Sequence, residues 1–249
     1  MALFSLLYST SWFSGRTLRT SASEENAGSG KGKFFSGGSG LNDAAALVLA
    51  GGRGKRVGGT KLFLSLEGSP MIEKVLSLAM LLFPQVILSC RGEDTSTFSR
   101  IFAPLFPAHA LKIVADRREG LGPLEGISLG LASSDLPWVF VVGCDMPMVQ
   151  ESVVRFMASR RDPKKDAVIA RLGGLVEPLH AFYHKRCVSA VDDSISKGER
   201  RLSSFLPRIS AVNIEEKDIS HIPGFRRSFM NINTPDDMNR WQEKSSERF

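Results

Sequence analysis

"ALVLAGGRGKRVGGTKLFLSLEGSP", residues 46–70, passes from an apolar run into a loop and then into a second apolar run. The loop carries five glycines and four cations before Leu62. A short, continuous apolar run is typical of a strand that is buried on both faces of a parallel sheet. A loop that follows such a strand lies at the carboxyl edge of the sheet, where open α/β sheets bind their ligands. The stretch therefore predicts an α/β fold with an anion site in this loop.

The same apolar pattern recurs along the chain, and helical segments separate its copies. The runs are residues 45–50, 85–90, 111–115 and 138–143, and residues 166–170, 177–183 and 210–214 extend the sheet. The first helical segment begins near Pro70, ends at Pro84 and places Ile72, Val75, Leu76 and Ala79 on one face. A last helix is predicted after Thr234, a good N-cap. This alternation predicts a three-layer fold, in which helices cover both faces of a mostly parallel sheet.

Composition limits the classes of protein to which the chain can belong. A net charge of +6 without a basic run interleaved with aromatic residues argues against nucleic-acid binding. No apolar run approaches the roughly 20 residues of a membrane helix. The three cysteines, Cys90, Cys144 and Cys187, lie far apart, so neither a zinc site nor a disulfide framework is indicated. We therefore expect a reducing compartment, the cytoplasm.

The ends of the chain differ from its centre. Residues 1–42 lack an acidic residue before Glu24 and end in a stretch rich in glycine and serine. We expect a disordered extension there, which resembles a transit peptide; the alternative is a misassigned start codon or an idle tail. Residues 43–244 form one predicted domain, and residues 245–249 form a short tail.

The glycine-rich loop differs from two well-known phosphate-binding loops. A P-loop requires glycine, lysine and then serine or threonine, but Gly59 is followed by Thr60 and Lys61 in the inverted order. A Rossmann fingerprint requires a third glycine where Val57 stands. The backbone amides of Gly51 and Gly52 can still form an anion nest, and the four cations can supply charge. The alternative is a glycine-rich turn with a solvated basic face.

Two aspartates follow later strands directly. Asp116 comes after the run 111–115, and Asp145 comes after the run 138–143. Both are expected at the same sheet edge as the loop, and a carboxylate beside bound phosphates commonly holds Mg²⁺. The alternative for each aspartate is a turn or capping role.

The order of several motifs resembles a known family. "LAGGRGKRVGGTK", "GLGPLEGI", "CDMP", "EPLHAFY", "GERRL" and "NINTPDDMNRWQEK" are similar to motifs of the molybdenum cofactor guanylyltransferases, the MobA family. The resemblance spans residues 44–244. It implies a Rossmann-like nucleotidyltransferase fold and the transfer of GMP from GTP to molybdopterin, with Mg²⁺ as cofactor and release of pyrophosphate. Molybdenum-insertion proteins and molybdoenzyme chaperones are further partners to be expected from it.

The resemblance also implies roles for individual residues. The residues expected at the nucleotide are Leu49, Ala50, Gly51, Gly52, Lys61, Asp116 and Asp145. Arg56, Lys61 and Asp145 are the expected catalytic residues, with Asp145 as the metal ligand. Arg200, Arg201, Asn231 and Asn233 are expected at the acceptor.

The chain departs from the family pattern at a few positions. The family usually has methionine at Val57 and an aspartate before the lysine, where Thr60 stands. A small residue is usual at Glu125, and an asparagine is common near Ser89. Two alternatives stay open: a nucleotidyltransferase with another NTP or another acceptor, such as cytidylyl transfer to the same pterin, and a catalytically idle nucleotide-binding protein.

Phosphate transfer of this kind requires little acid–base chemistry, because the attacking phosphate is already ionised. We therefore expect no catalytic histidine or cysteine. The four histidines, His109, His180, His184 and His221, are scattered and are expected to be surface or packing residues. Of these, His180 lies in "EPLHAFY", on a strand that is expected to face the site.

Overall fold

Apolar runs of the sequence form the strands of the central sheet. The structure, a computed structural model, describes residues 41–51, 65–66, 68–105, 110–118, 121–233 and 237. The strands in these ranges are β1 (Ala44–Leu49), β2 (Ser65–Leu66), β3 (Ser69–Pro70), β4 (Val86–Cys90), β5 (Leu111–Ala115), β6 (Trp138–Gly143), β7 (Ala167–Leu172), β8 (Leu175–His184) and β9 (Ala211–Glu215). All seven predicted strands are present, within two residues at each end.

Seven of these strands form one sheet in the order β5-β4-β1-β6-β8-β7-β9, and β2 pairs with β3 in a separate hairpin. The four strands β5, β4, β1 and β6 are mutually parallel. β8 runs antiparallel to both β6 and β7, and β9 is parallel to β7. The predicted mostly parallel sheet is confirmed, with β8 as its one reversed strand among the described residues. Because β8 is reversed, its amino end lies at the edge where the parallel strands have their carboxyl ends.

Helices cover both faces of the sheet. They are α1 (Met71–Leu82), α2 (Thr95–Phe102), α3 (Pro123–Ser133), α4 (Glu151–Ser159), α5 (Val188–Ser196) and α6 (Glu216–Ile219), with short 3-10 segments that include Leu202–Arg208 and Phe225–Phe229. Ile72, Val75, Leu76 and Ala79 of α1 are buried, as the spacing predicts. Pro70 stands at the N-cap position of α1.

Alternation along β1 shows how the two layers share the sheet. Ala44, Ala46 and Val48 belong to the apolar core beneath α1, α2 and α4. Ala45, Leu47 and Leu49 belong to the core beneath α3 and α5. Successive residues of a strand point to opposite faces, so one continuous apolar run serves two cores. This arrangement confirms the three-layer prediction.

Other predictions lie wholly or partly outside the described residues. The helix predicted after Thr234 is represented by Asp237, which is helical and accepts a hydrogen bond from the Asn233 N–H at 3.0 Å. The predicted extension is described at Leu41 and Asn42 alone, and Leu41 is buried in the core. The boundaries of the extension and of the tail stay predictions. Within the part of the chain that the structure describes, no helix has the length and apolar character that crossing a membrane requires.

Candidate functional site

Asp145 lies two residues beyond the end of β6 and is half-buried. The pairing with β1 continues past β6, since the Cys144 N–H donates to the Leu49 carbonyl at 3.1 Å. The Met146 N–H then turns back to the Gly143 carbonyl at 3.1 Å. The Asp145 carboxylate lies over Gly143, where a Cβ atom would be 2.5 Å from Asp145 Oδ1. Glycine at 143 therefore leaves the space that this carboxylate occupies.

Asp116 joins the ends of β1, β4 and β5. Its N–H donates to the Cys90 carbonyl at 2.8 Å, and its Oδ1 accepts a hydrogen bond from Ser89 Oγ at 3.1 Å. Its Oδ2 lies 2.7 Å from the position of a Cβ atom on Gly51. Burial raises the pKa of Asp116 and the charge of Glu125 adds to this, whereas the Ser89 hydrogen bond lowers it. The predicted nucleotide residues Leu49, Ala50, Gly51 and Asp116 thus lie together at one edge.

Glu125 is part of this edge, although the sequence drew attention to it only as a departure from the family pattern. Its side chain is 1% exposed in the first turn of α3, where a helix favours negative charge. Its Oε1 accepts from the Arg117 N–H at 3.3 Å, and its Oε2 accepts from Arg118 Nε at 3.0 Å. Arg118 Nη2 completes an ion pair at 2.7 Å. Glu125 therefore ties the segment that follows Asp116 to the start of α3.

The segment 231–233, which contains the predicted acceptor residues Asn231 and Asn233, lies next to Asp145. The Ile232 N–H donates to the Asp145 carbonyl at 2.8 Å. Ile232 is 1% exposed and anchors the segment in the core, whereas Asn231 and Asn233 on either side of it are exposed. The structure thus brings the backbone of Asp145, the predicted metal ligand, together with the segment that carries two predicted acceptor residues.

Arg200 and Arg201 lie in the exposed connection after α5. The segment before α5 lies beside the end of α3, since Lys185 Nζ donates to the Ser134 carbonyl at 3.2 Å. Ser128 of α3 bonds Asp192 of α5, so the two helices run in opposite directions side by side. α3 starts at the carboxyl edge of the sheet, and α5 therefore ends there. This topology places both arginines at the same edge as Asp145, and neither forms an ion pair with a described residue.

β8 carries a bulge where it enters the site. Its partner on β7 changes from Val168, opposite Phe182, to Ala170, opposite Glu177, so β8 has extra residues in between. Tyr183 Oη donates to the Pro178 carbonyl across the bulge at 2.8 Å. The bulge brings Leu179 Cδ1 within 3.6 Å of the position of a Cβ atom on Gly143. The sequence predicts a plain strand here, and Pro178 is the one signal that could have indicated the bulge.

His180 lies in the bulge and is fully buried with a positive φ of 62°. Burial lowers the pKa of His180 to about 4, so the imidazole is neutral at pH 7. His184 packs edge-on against Trp138, and His221 packs against Phe156, as expected for surface or packing residues. His109 lies outside the described residues.

The three cysteines are buried, and none of them forms a disulfide. Burial raises the pKa of Cys90, and it raises that of Cys187 to about 12. These two thiols are therefore protonated at neutral pH and are poor nucleophiles.

Much of the glycine-rich loop falls outside the described residues. Gly52, Arg56 and Lys61 are in this group, and their roles stay predictions. Gly51 is the one described residue of the loop, and it lies so close to Asp116 that a Cβ atom on it would be 2.7 Å from Asp116 Oδ2.

The described carboxylates suit a metal that is shared with a substrate. No group of three or more His, Cys, Asp or Glu side chains in the described ranges could hold a metal ion by itself. Mg²⁺ is usually held by one or two carboxylates together with substrate phosphates. The half-buried Asp145 at the ligand edge fits a site of that kind.

Comparisons with known proteins agree with this architecture. A family model described as a MobA-like NTP transferase domain matches residues 46–212. A probable molybdenum cofactor guanylyltransferase of Methanosarcina acetivorans is 34% identical over 201 residues, which cover 78% of this chain and 88% of that protein. A molybdenum cofactor guanylyltransferase of Syntrophotalea carbinolica is 28% identical over 202 residues, 80% of this chain and 91% of that protein.

Solved structures show the same fold. Molybdopterin-guanine dinucleotide biosynthesis protein A of Archaeoglobus fulgidus has a TM-score of 0.68 and 28% identity, covering 82% of this chain and 99% of its own. A 4-diphosphocytidyl-2C-methyl-D-erythritol synthase of Anaerococcus prevotii has a TM-score of 0.56 at 14% identity, covering 82% of this chain and 99% of its own. At that low identity, the second likeness concerns the fold alone.

Proposed function

The chain belongs to the MobA-like NTP transferase family, and on that premise we propose that it transfers GMP from GTP to molybdopterin and releases pyrophosphate. The observation that carries the proposal is the hydrogen bond from the Ile232 N–H to the Asp145 carbonyl, 2.8 Å long. It joins the turn that bears the candidate metal ligand to the segment that bears Asn231 and Asn233. Transfer to a second substrate requires acceptor-binding groups beside the metal ligand, and this contact supports that arrangement.

The proposed reaction is a displacement at phosphorus. A terminal phosphate oxygen of the acceptor forms a bond to the α-phosphorus of GTP. The bond from the α-phosphorus to the oxygen bridging it to the β-phosphate breaks, and that oxygen leaves with its electron pair in pyrophosphate. Because the attacking oxygen is already ionised, no general base is required, and catalysis rests on alignment and charge stabilisation.

The nucleotide half of the site is built from the ends of β1, β4 and β5. The backbone of Leu49, Ala50, Gly51 and Gly52 would approach the phosphates, and Asp116 would contact the nucleoside. Arg56 and Lys61 would stabilise the charge that develops on pyrophosphate. Mg²⁺ held by Asp145 would supply further charge stabilisation at the phosphate oxygens.

The acceptor half is built from the carboxyl-terminal part of the chain. Arg200 and Arg201 are exposed cations without an ion pair to a described residue, and a guanidinium fork suits a phosphate. Asn231 and Asn233 add amide groups beside Asp145. Contacts with molybdenum-insertion proteins and molybdoenzyme chaperones, and a cytoplasmic location, stay predictions.

The deciding experiment measures pyrophosphate release by the full chain with molybdopterin and each of the four NTPs in Mg²⁺. We expect release with GTP that requires molybdopterin and gives a guanine dinucleotide product. Release with CTP instead would support cytidylyl transfer. Nucleotide binding without release in any combination would support an idle nucleotide-binding protein and contradict the proposal.

A further inference from the structure

The bulge of β8 contains a histidine in an unusual environment. His180 is 0% exposed, and its backbone φ of 62° is a value that residues other than glycine rarely adopt. Its ring packs edge-on against Phe140, with centroids 5.1 Å apart, and lies 4.4 Å from the ring of Phe229. An aromatic hydrocarbon side chain would suit this surrounding better than an imidazole does.

The imidazole makes one polar contact with a described residue. Its Nε2 lies 2.6 Å from Ser228 Oγ, whereas its buried Nδ1 has no hydrogen-bond partner among the described residues. A buried polar atom without a partner destabilises the folded state. A disfavoured backbone conformation and an unpaired ring nitrogen thus accompany the contact of Nε2 with Ser228.

Ser228 connects this histidine to the turn that follows β6. Its Oγ accepts a hydrogen bond from the Gln150 N–H at 2.9 Å. The Gln150 side chain donates in turn to the Gly224 carbonyl at 3.0 Å. Gln150 is five residues after Asp145, so these bonds fasten the segment 224–228 to the end of the Asp145 turn.

The segment 228–233 is therefore held at two points, Ser228 and Ile232. Ser228 bonds both His180 and Gln150, and four residues later Ile232 bonds the Asp145 carbonyl. Asn231 and Asn233 flank the second point. Loss of the Ser228 contacts would change the direction from which residues 229–231 approach Asp145.

We propose that His180 is a positioning residue, whose bond to Ser228 sets where the segment 228–233 presents the acceptor beside Asp145. The inference rests on the proposed function, because the acceptor is the substrate named there. His180 does not touch the reacting phosphates and acts through Ser228. Misplacement of one reactant lowers the rate of a reaction that depends on alignment.

The test compares variants of the full chain in the transfer assay with GTP and molybdopterin. His180→Phe fills the aromatic surroundings and loses the bond, Ser228→Ala removes the partner, and His180→Gln keeps a hydrogen-bonding group at about the position of Nε2. His184→Phe is the matched control, because His184 is the last residue of β8 and lies at the end away from the candidate site.

We expect His180→Phe and Ser228→Ala each to lower kcat/KM for molybdopterin about tenfold, with the Kd for GTP within about twofold of wild type. The double variant should be no worse than Ser228→Ala within about twofold, because Ser228→Ala already breaks the bond that His180→Phe removes. His180→Gln should recover activity to within about threefold, and His184→Phe should be unchanged. Additive losses, an equal loss of GTP binding, or a lower melting temperature with unchanged kinetics would each overturn the proposal.

Hydrogen exchange separates a failure of this inference from a failure of the proposed function. Peptides that cover residues 225–233 should exchange faster in His180→Phe and Ser228→Ala than in wild type or His184→Phe. If the wild-type chain transfers no nucleotide, the proposed function fails. If hydrogen exchange is also unchanged in both variants, the proposed effect of the His180–Ser228 bond on residues 228–233 is overturned as well. Faster exchange in both variants supports that effect whatever substrate the segment presents.

Discussion

At the scale of single residues, two carboxylates of the candidate site lie over glycines. Asp145 lies over Gly143, and Asp116 lies over Gly51. In each pair a Cβ atom on the glycine would come within 3.0 Å of a carboxylate oxygen. The glycines therefore set the positions of the carboxylates as well as the path of the backbone.

Asp145→Asn tests the metal ligand. The substitution keeps the shape of the side chain and removes its charge, so kcat should fall by at least about 100-fold, the scale of losing a charge-stabilising group. GTP binding should weaken much less. Asp135→Asn, just before the opposite end of β6, is the matched control and should keep wild-type turnover. Unchanged turnover of Asp145→Asn in saturating Mg²⁺ would rule out the assignment.

Gly51→Ala tests the contact between the loop and Asp116. The new methyl group would lie 2.7 Å from Asp116 Oδ2 and would displace that carboxylate. We expect the Kd for GTP to rise about tenfold, which corresponds to about 1.4 kcal/mol. Gly92→Ala is the control, because a Cβ atom there meets nothing within 4 Å. Isothermal titration measures both values, and equal affinities would place Asp116 away from the nucleotide.

His180 should also contribute to the dependence of stability on pH. Its pKa is about 4 in the folded protein and has an ordinary value of 6.5 in the unfolded chain. The unfolded chain alone binds the proton between these values, so stability falls as the pH is lowered from about 6.5 to 4. The loss is at most about 3 kcal/mol. Urea unfolding should show a smaller loss over this range in His180→Phe, and parallel curves for the two proteins would contradict the buried neutral state.

At the scale of secondary-structure elements, the strands could be predicted because a parallel strand is buried on both faces and gives a continuous apolar run. The direction of β8 could not be predicted, since an antiparallel strand between two others gives the same run. Its bulge depends on contacts with residues distant in sequence, such as His180 with Ser228, 48 positions away. Glu125 was missed as a site residue for a similar reason, because its burial depends on how α3 packs.

The connection after α5 gives a prediction at this scale. Arg201→Ala should raise the KM for molybdopterin about tenfold or more, because it removes a guanidinium group whose paired N–H donors suit a phosphate. The Kd for GTP without pterin should stay within about a factor of two. Arg160→Ala, after α4, is the control, and circular dichroism checks that each variant folds. Weak GTP binding with a normal KM for molybdopterin would place this connection in the nucleotide half.

At the scale of the whole molecule, the two proposed halves of the site come from distant parts of the sequence that meet at one edge of the sheet. In the proposed arrangement, β1, β4 and β5 provide the nucleotide half, and the segments after α5 provide the acceptor half. β6 lies between β1 and β8, and the Asp145 turn at its end is the place where the halves meet. Contacts across this turn should therefore affect the alignment of the two substrates more than the binding of either one.

The first described residue, Leu41, gives the prediction for the chain as a whole. Leu41 is 1% exposed in the core, and its carbonyl accepts a hydrogen bond from the Ala44 N–H at 3.1 Å. Deletion of residues 1–40 should therefore leave activity intact and the melting temperature within about 2 °C, because it keeps Leu41. Leu41→Ala in the shortened chain should lower the melting temperature by about 5 °C or more, since removing a buried leucine side chain costs about 2–5 kcal/mol. Scanning calorimetry measures both changes. A fall of about 4 °C or more from the deletion alone would mean that residues 1–40 stabilise the domain, and the predicted extension would then be wrong.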